Sequence, residues 1–315
     1  MEIEKDLGPL IENYIKEGYK KDLIDNEIVF SRFWLSNFPS GNWEKRLISG
    51  NAPVQNQRVL ASNLIKSPYG EYTHWAELDG IHYSFNVLKS QKLSDEMRSI
   101  VNVLSSLSEK YEDDDKVDKD LKFRFKKLRI SFFECLYSRQ FKFYDLDLYN
   151  AVAKEMIDNL LQVERITKEN GRAVLFRTFD SIGFEARDYE DAKRILDIVN
   201  ENVRFKMHMK YYEKMIHFAN YMAYKDTTGF EFTKKLNYNS EIPQMEEIKE
   251  KITILLLHSK YKEAYELASN TPLLPDPKGK LKEDRFRRSY VKLLINHFPR
   301  VRRILPKEAG VSNGT

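Results

Sequence analysis

The chain has 315 residues, of which 42% are hydrophobic and 32% are charged, so it carries enough apolar side chains to bury a core. This composition excludes an intrinsically disordered or collagen-like chain. Its single cysteine, Cys135, excludes an internal disulfide and any zinc site that needs two thiolates.

The net charge of +4 conceals two strongly basic stretches. Residues 116–142 hold nine Lys/Arg and three Asp/Glu, and residues 278–307 hold eleven Lys/Arg and two Asp/Glu. The two stretches carry +15 together, so the rest of the chain carries −11. Clustered cations favour a polyanionic partner, because they release condensed counterions from a phosphate backbone. The alternative is that both stretches are ordinary solvated helix faces.

The sequence also bounds the location and the class of chemistry. The first 30 residues contain no apolar core of a signal peptide, and the longest aliphatic run, Ile254–Leu257, is far shorter than a membrane span. We therefore expect a cytoplasmic protein that does not enter a membrane. Gly-rich phosphate loops and the motifs H-E-x-x-H, C-x-x-C and G-x-S-x-G do not occur, which argues against nucleoside triphosphatases, zinc proteases and serine hydrolases of the familiar types.

Scarce Gly and Pro and a 3.6-residue periodicity predict a mainly α protein. We expect a multi-helix globular fold with one or two small β-hairpins as a minor α+β component. The first predicted domain, 1–112, is an N-terminal helical lobe with helices up to about Phe38 and from Ser94 to Lys110. Between them, two β-rich runs flank Asp79-Gly80, a pair typical of hairpin turns, and predict a β-hairpin over 72–87.

The second predicted domain, 113–270, is a central helical lobe. Its periodicity predicts helices at about 117–137, 146–168 and 203–225, and the segment 172–200 reads as a ββα insert. The last part of this domain reads as a helical hairpin. The third predicted domain, 271–315, is a basic C-terminal arm, which begins with a Pro-rich linker.

The helix predicted at 117–137 has two distinct faces. An apolar stripe of Leu and Phe faces a core, and basic side chains form a ridge on another face. Cys135 lies beside the apolar stripe, and we expect it to be an inert buried thiol.

Asp145 and Asp147 form a D-x-D pair between apolar residues. On a strand, residues two apart share a face, so the two carboxylates could hold a Mg²⁺ that bridges nucleotide phosphates. The spacing resembles the first motif of primase-polymerase palm domains, which a helix and a Ser/Gly-rich strand with a His follow. Here a helix and Asp180-Ser181-Ile182-Gly183 follow, without the His. The favoured interpretation is that one of the two Asp caps the next helix.

The leading hypothesis is a non-enzymatic nucleic-acid-binding protein, of nucleoprotein or replication accessory type, that captures a phosphate backbone. Rings beside cations near residues 139–144 favour a single-stranded partner. The predicted nucleic-acid-binding residues are Lys119, Lys122, Lys126, Arg129, Arg139, Lys142, Lys282, Arg285, Arg288, Arg300, Arg302 and Arg303.

Two alternatives remain open. One is a helical interaction scaffold that forms homo-oligomers through its C-terminal arm. The other is a metal-dependent nucleotidyltransferase or primase-like enzyme that uses Asp145 and Asp147. No cofactor is expected under the leading hypothesis, and Mg²⁺ is expected only for the enzyme.

Overall fold

A computed structural model describes residues 3–17, 28–38, 68–112, 116–137, 139, 141–235, 243–270 and 283–304. The chain divides into two compact units, each built from separate stretches of sequence. The first unit comprises Met1–Leu64, Gly80–Gln162 and Val203–Lys206, and the second comprises Ile65–Asp79, Val163–Asn202 and Met207–Thr315. The three-part division expected from the sequence stays a prediction.

The described residues form helices and strands in the following order along the chain. The helices are α1 (Ile3–Lys16), α2 (Ile28–Asn37), α3 (Tyr83–Lys89), α4 (Asp95–Tyr111), α5 (Lys119–Glu134), α6 (Leu146–Glu169), α7 (Tyr189–Asn202), α8 (Pro243–Leu257), α9 (Tyr261–Ser269), α10 (Glu283–His297) and α11 (Pro299–Ile304). The strands are β1 (Gly70–Gly80), β2 (Val174–Arg177), β3 (Ser181–Glu185), β4 (Met207–Phe218), β5 (Tyr221–Lys225) and β6 (Glu231–Lys235). Within these ranges, no helix combines the length and the apolar character that crossing a membrane requires.

The first unit packs the apolar faces of its helices together. Trp34 of α2 is fully buried, and its indole N–H donates to Leu128 O at 3.2 Å and to Ser131 Oγ at 3.1 Å. The apolar stripe predicted in α5 is confirmed, because Phe125, Leu128 and Phe132 are fully buried. Cys135 is buried as expected, and burial raises the pKa of its thiol.

A buried ion pair joins α5 to the end of α4 within the first unit. The Arg129 side chain is 4% exposed, and its Nε and Nη2 donate to the two Glu112 carboxylate oxygens at 2.6 and 2.9 Å. His82 Nδ1 lies 3.2 Å from the same carboxylate. Burial acts to raise the pKa of Glu112, but the hydrogen bonds from His82 and Arg129 outweigh it and lower this pKa to about 2.

The second unit contains a six-stranded antiparallel sheet in the order β2-β3-β1-β4-β5-β6. Strand β1 pairs with β3 from Trp75↔Glu185 to Asp79↔Ser181, and β4 pairs with β5 up to Phe218↔Tyr221. This sheet overturns the expected fold class. The prediction of a mainly α protein with minor hairpins is wrong, and the chain is an α+β protein.

The prediction of a helix over 203–225 is wrong, because this segment forms β4 and β5. Its apolar residues fit a helical spacing, but the segment is rich in Tyr, Phe, Met and Ile, which pack well in sheets. Ala219 adopts a left-handed conformation (φ 53°), and with Asn220 it reverses the chain between the two strands. Sheet pairing therefore outweighs the helical periodicity here.

The β-hairpin predicted over 72–87 is also wrong. The first half forms β1, but its neighbours in the sheet are β3 and β4, both more distant in sequence, and not the segment after Gly80. His82 adopts a left-handed conformation (φ 43°), and α3 begins at the next residue. The Asp79-Gly80 pair therefore ends a strand. The predicted ββα segment is confirmed as β2, β3 and α7, and the helical hairpin as α8 and α9.

The two faces of the sheet carry different cores. On one face, Ile216, Phe218 and Ala223 pack with Ile252 of α8 and Val301 of α11. A second cluster is rich in aromatic side chains, and its fully or largely buried members are Trp75, Phe176, Tyr212, Met215, Met222 and Tyr224.

Gly183 allows the aromatic cluster to close. A Cβ atom at this position would lie 2.3 Å from Cζ2 of Trp75, far inside van der Waals contact. Only glycine lets the indole lie directly on β3.

Candidate functional site at one end of the sheet

Two aspartates lie where β1 ends and β3 begins. Asp79 is the register partner of Ser181, and Asp180 directly precedes β3. Because the two strands are antiparallel neighbours, the end of one adjoins the start of the other. The carboxylates of Asp79 and Asp180 therefore lie at the same end of the sheet, and the Asp79 charge acts on the Asp180 carboxyl.

Glu77 adds a third carboxyl to this region. It stands two residues before Asp79 on β1, so both side chains share a face of the strand. Glu77 is 8% exposed and accepts a hydrogen bond from Ser181 Oγ at 3.1 Å. Burial raises the pKa of Glu77, and the charges of Lys210 and Lys234 offset this only in part.

A local hydrogen-bond turn holds Asp180 in place. Thr178 Oγ1 donates to Asp180 Oδ1 at 2.6 Å, and Thr178 Oγ1 accepts from the Ser181 N–H at 3.0 Å. Burial raises the pKa of Asp180, and the neighbouring Asp79 carboxylate raises it further. Asp180 is thus a fixed, partly buried carboxyl whose charge is only partly compensated.

Lysines from two other strands complete the group. Lys210 of β4 donates to Asp79 Oδ2, and His208 Nε2 lies 3.6 Å from the same oxygen. Burial acts to lower the pKa of Lys210, but the hydrogen bond to Asp79 outweighs it and raises this pKa. Lys234 of β6 is exposed, and its charge acts on both Glu77 and Asp180.

We call Glu77, Asp79, Asp180, Lys210 and Lys234 the carboxylate–lysine cluster. The side chain of Asp79 is 21% exposed and that of Lys210 is 44% exposed, so a ligand from solvent can reach both. The cluster presents carboxylate oxygens and cationic groups at the same end of the sheet. Such a combination can bind a divalent cation together with phosphate oxygens.

The predicted pair Asp145 and Asp147 has a different structure. Asp145 Oδ1 accepts from the Leu148 N–H at 2.9 Å, so this carboxylate caps α6, and Asp147 lies in the first helical turn. The interpretation as a strand with both carboxylates on one face is therefore wrong, and the capping interpretation is confirmed. Nor do the described residues contain a group of three or more His, Cys, Asp or Glu side chains arranged to hold a metal ion.

The predicted basic ridge on α5 is divided. Lys119 and Lys126 are exposed, whereas Lys122 Nζ donates to the carbonyl oxygen of Glu112 at 3.3 Å. Arg129 is buried against Glu112, so it has no surface to offer a phosphate. The outer part of the predicted ridge is accessible and its inner part belongs to the core of the first unit.

The remaining predicted cations of the first stretch lie after α5. Arg139 is partly buried, and Lys142 Nζ is 2.5 Å from Glu96 Oε1 in an exposed ion pair.

Part of the predicted C-terminal set lies in α10 and α11. Arg302 and Arg303 are exposed, and Arg300 Nη1 donates to the Tyr261 hydroxyl at 3.0 Å. Lys282 lies outside the described residues. Arg285 and Arg288 belong to α10, and their side chains lie outside the described part of the structure.

The sequence analysis does not identify Asp79 or Asp180 as site residues, because it places Asp79-Gly80 in a hairpin turn and Asp180 only in the segment that follows the D-x-D pair and its helix. A signal was present, since each Asp stands at the boundary of a β-rich run. What the sequence lacked was the pairing of β1 with β3, which brings the two boundaries together.

Comparisons with known proteins give little further information. No protein-family model and no curated protein sequence matches this chain. Among solved structures, the chain is similar to the family B DNA polymerase from the hyperthermophilic archaeon Pyrobaculum calidifontis, with a TM-score of 0.46 and 13% sequence identity. The match covers 70% of this chain and 37% of the polymerase chain, so this chain spans little more than a third of the polymerase.

Proposed function

We propose that this protein binds nucleic acid and uses Asp79 and Asp180 to hold a divalent cation against phosphate groups in a phosphoryl- or nucleotidyl-transfer reaction. The observation that carries the proposal is that Asp79 and Asp180 lie at one end of neighbouring strands, where the charges of Asp79, Lys210 and Lys234 act on the Asp180 carboxyl. Carboxylate oxygens are ligands that Mg²⁺ prefers. Mg²⁺ commonly binds through one or two carboxylates and takes its other ligands from water and substrate phosphates, so two aspartates suffice.

The state of Asp180 supports this assignment. A partly buried carboxyl with a raised pKa is costly to ionise, and a cation at the site would offset that cost. Carboxyls with pKa values shifted by burial and a like charge are common at functional sites. The hydrogen bond from Thr178 Oγ1 holds the Asp180 carboxylate in place, which limits the reorganisation needed when a ligand binds.

The lysines have a complementary role. Lys210 and Lys234 place positive charge beside the carboxylates, where it would stabilise the negative charge of phosphate oxygens. In the structure Lys210 pairs with Asp79. A cation that binds Asp79 would release this ammonium group, which is then free to contact a phosphate.

The decisive experiment compares Mn²⁺ binding, followed by electron paramagnetic resonance, in the full-length protein and its variants. Asp79→Asn and Asp180→Asn are each expected to weaken Mn²⁺ binding at least tenfold, since each removes a charged ligand. Asp145→Asn is the matched control, because Asn can still cap α6. Unchanged Mn²⁺ binding in Asp180→Asn would rule out the proposed site.

The chemistry is tested in the same proteins with a labelled oligonucleotide and nucleoside triphosphates. Mg²⁺-dependent extension or cleavage of the oligonucleotide is expected in the wild type and in Asp145→Asn, and is expected to be lost in Asp79→Asn and Asp180→Asn. Activity that persists in Asp180→Asn contradicts the assignment.

A second candidate function is capture of a nucleic acid without catalysis. The exposed Lys119 and Lys126 on α5 and the exposed Arg302 and Arg303 on α11 favour it, because solvated cations attract a phosphate backbone without base contacts. Strong oligonucleotide binding that neither Mg²⁺ nor Asp180→Asn affects, in a protein without transfer activity, would favour this candidate over the first.

A further inference from the structure

The turn between β5 and β6 holds an aromatic side chain out into solvent on a rigid support. Asp226 Oδ1 accepts from the Thr228 N–H at 2.8 Å and from the Phe230 N–H at 2.9 Å, and the Asp226 N–H donates to Phe230 O at 3.0 Å. Gly229 supplies the left-handed conformation (φ 84°) that the turn needs. Phe230 is 63% exposed, more than any other large hydrophobic side chain in the described part of the chain.

Phe230 is the outer end of a row of aromatic rings. Its centroid is 6.2 Å from that of Phe232, which lies 4.8 Å from Tyr224 with the ring planes only 16° apart. The Tyr224 ring lies 4.7 Å from that of Tyr212. The inner rings are less exposed than Phe230, since Phe232 is half-buried and the two tyrosines are buried. The inner rings therefore fix the orientation of the outer ones.

The inner end of the row lies beside the carboxylate–lysine cluster. Tyr212 packs in one buried cluster with Trp75, and Trp75, Glu77 and Asp79 alternate along one face of β1. The charges of Glu77, Asp79 and Asp226 also act on the Tyr212 hydroxyl, whose pKa burial raises to about 12. The row and the cluster are therefore neighbours on this face of the sheet. Lys234 lies two residues after Phe232 on β6, so these side chains share a face of the strand.

We propose that Phe230 and Phe232 form a stacking platform for an unpaired base of a single-stranded nucleic acid whose phosphates lie at the carboxylate–lysine cluster. This inference rests on the proposed function, and it adds that the bound strand is unpaired at the platform. Aromatic faces beside lysines are the arrangement that single-strand binders use to combine base stacking with phosphate attraction. A pre-ordered ring also loses little side-chain freedom on binding.

The test measures binding of fluorescein-labelled oligothymidylate by fluorescence anisotropy in low salt with Mg²⁺. Its partner probe has the same length and the same phosphates but abasic sugars. Phe230→Ala is expected to weaken binding of the intact strand roughly 5- to 150-fold, as for loss of one stacked base, and to leave binding of the abasic strand unchanged. Phe230→Trp is expected to bind the intact strand as tightly as the wild type, because it keeps an aromatic face. Phe230→Leu is expected to bind it as weakly as Phe230→Ala.

Phe123→Ala is the matched control, because Phe123 is also an exposed aromatic residue, 40% accessible, on α5. Circular dichroism melting verifies that each variant is folded.

Equal binding of both probes by the wild type, or wild-type binding by Phe230→Leu, contradicts the stacking platform but does not contradict the cation site. If Asp180→Asn binds Mn²⁺ as tightly as the wild type while Phe230→Ala still weakens binding of the intact strand, the proposed function is overturned instead. A wild type that binds neither probe overturns both.

Discussion

At the scale of single residues, the buried pair of Glu112 and Arg129 shows the cost of an unmatched charge. Arg129→Ala leaves the Glu112 carboxylate buried with His82 as its remaining described partner. We expect the free energy of unfolding to fall by about 3–5 kcal/mol, because a buried charge without its partner is strongly destabilising. Urea denaturation measures this change.

Lys126→Ala on the same helix is the control for that experiment, because Lys126 is exposed. Its effect should stay within about 0.5 kcal/mol. If the two substitutions cost the same, Glu112 is not held by Arg129 in the folded protein.

Removing the charge of Asp180 should stabilise the protein, whereas Arg129→Ala should destabilise it. The pKa of Asp180 is raised on folding, so its contribution to stability is fully present below its ordinary pKa of 3.8 and is lost as the pH rises through the folded-state pKa. Asp180→Asn should therefore raise the melting temperature at pH 7 relative to wild type, and the difference should narrow towards pH 4. Thermal melts at both pH values, with Asp145→Asn as the control, measure it. A variant less stable than wild type at pH 7 contradicts this account of Asp180.

At the scale of elements, the absence of a side chain at Gly183 lets the Trp75 indole pack directly on β3. A methyl group on Gly183 would overlap the indole, so Gly183→Ala should lower the free energy of unfolding by about 1–3 kcal/mol. Gly8→Ala is the matched substitution, since its Cβ would meet only Val103 at 3.9 Å and alanine favours the helix. Urea denaturation that shows equal stability for the two variants would mean that the indole does not lie against β3.

The elements also show what a sequence can and cannot predict. The stripe of Phe125, Leu128 and Phe132 was predictable, because a helix buries its own periodic residues whichever partner it meets. The segment 207–225 was not, because its apolar spacing fits both a helix and two strands, and long-range sheet pairing decided between them. The pairing of β1 with β3 joins residues far apart in the chain, which no local pattern encodes.

The same reasoning applies to the candidate site. Asp145 was predictable as a cap, since a cap depends on the next few residues only. Asp79 and Asp180 become a pair only after the sheet has formed. Lys210 and Lys234 join them from two further strands, so four separate segments of the chain supply the site.

At the scale of the whole molecule, the excess of Lys and Arg predicts salt-dependent nucleic-acid binding. Raising the salt concentration from 50 to 200 mM should weaken oligonucleotide binding by about 10³- to 10⁵-fold if six to ten phosphates are contacted. Replacing both Arg302 and Arg303 with Ala should reduce the slope of log affinity against log salt by about one to two.

Lys154→Ala is the control for this titration, because Lys154 already pairs with Asp158 at 2.6 Å on α6. It should change the slope little. A filter-binding titration that shows no dependence on salt excludes capture of a phosphate backbone.

The interior position of β1 has a consequence for biosynthesis. Its flanking strands, β3 and β4, are translated much later, since Trp75 must wait for Glu185. At ordinary rates of elongation this delay is roughly 5–20 s, during which the nascent strand displays unpaired amides and the apolar groups of Trp75 and Leu78. Translation that terminates before Ser181 therefore leaves a fragment in which β1 has no partner strand. We expect such fragments to aggregate unless a chaperone binds them.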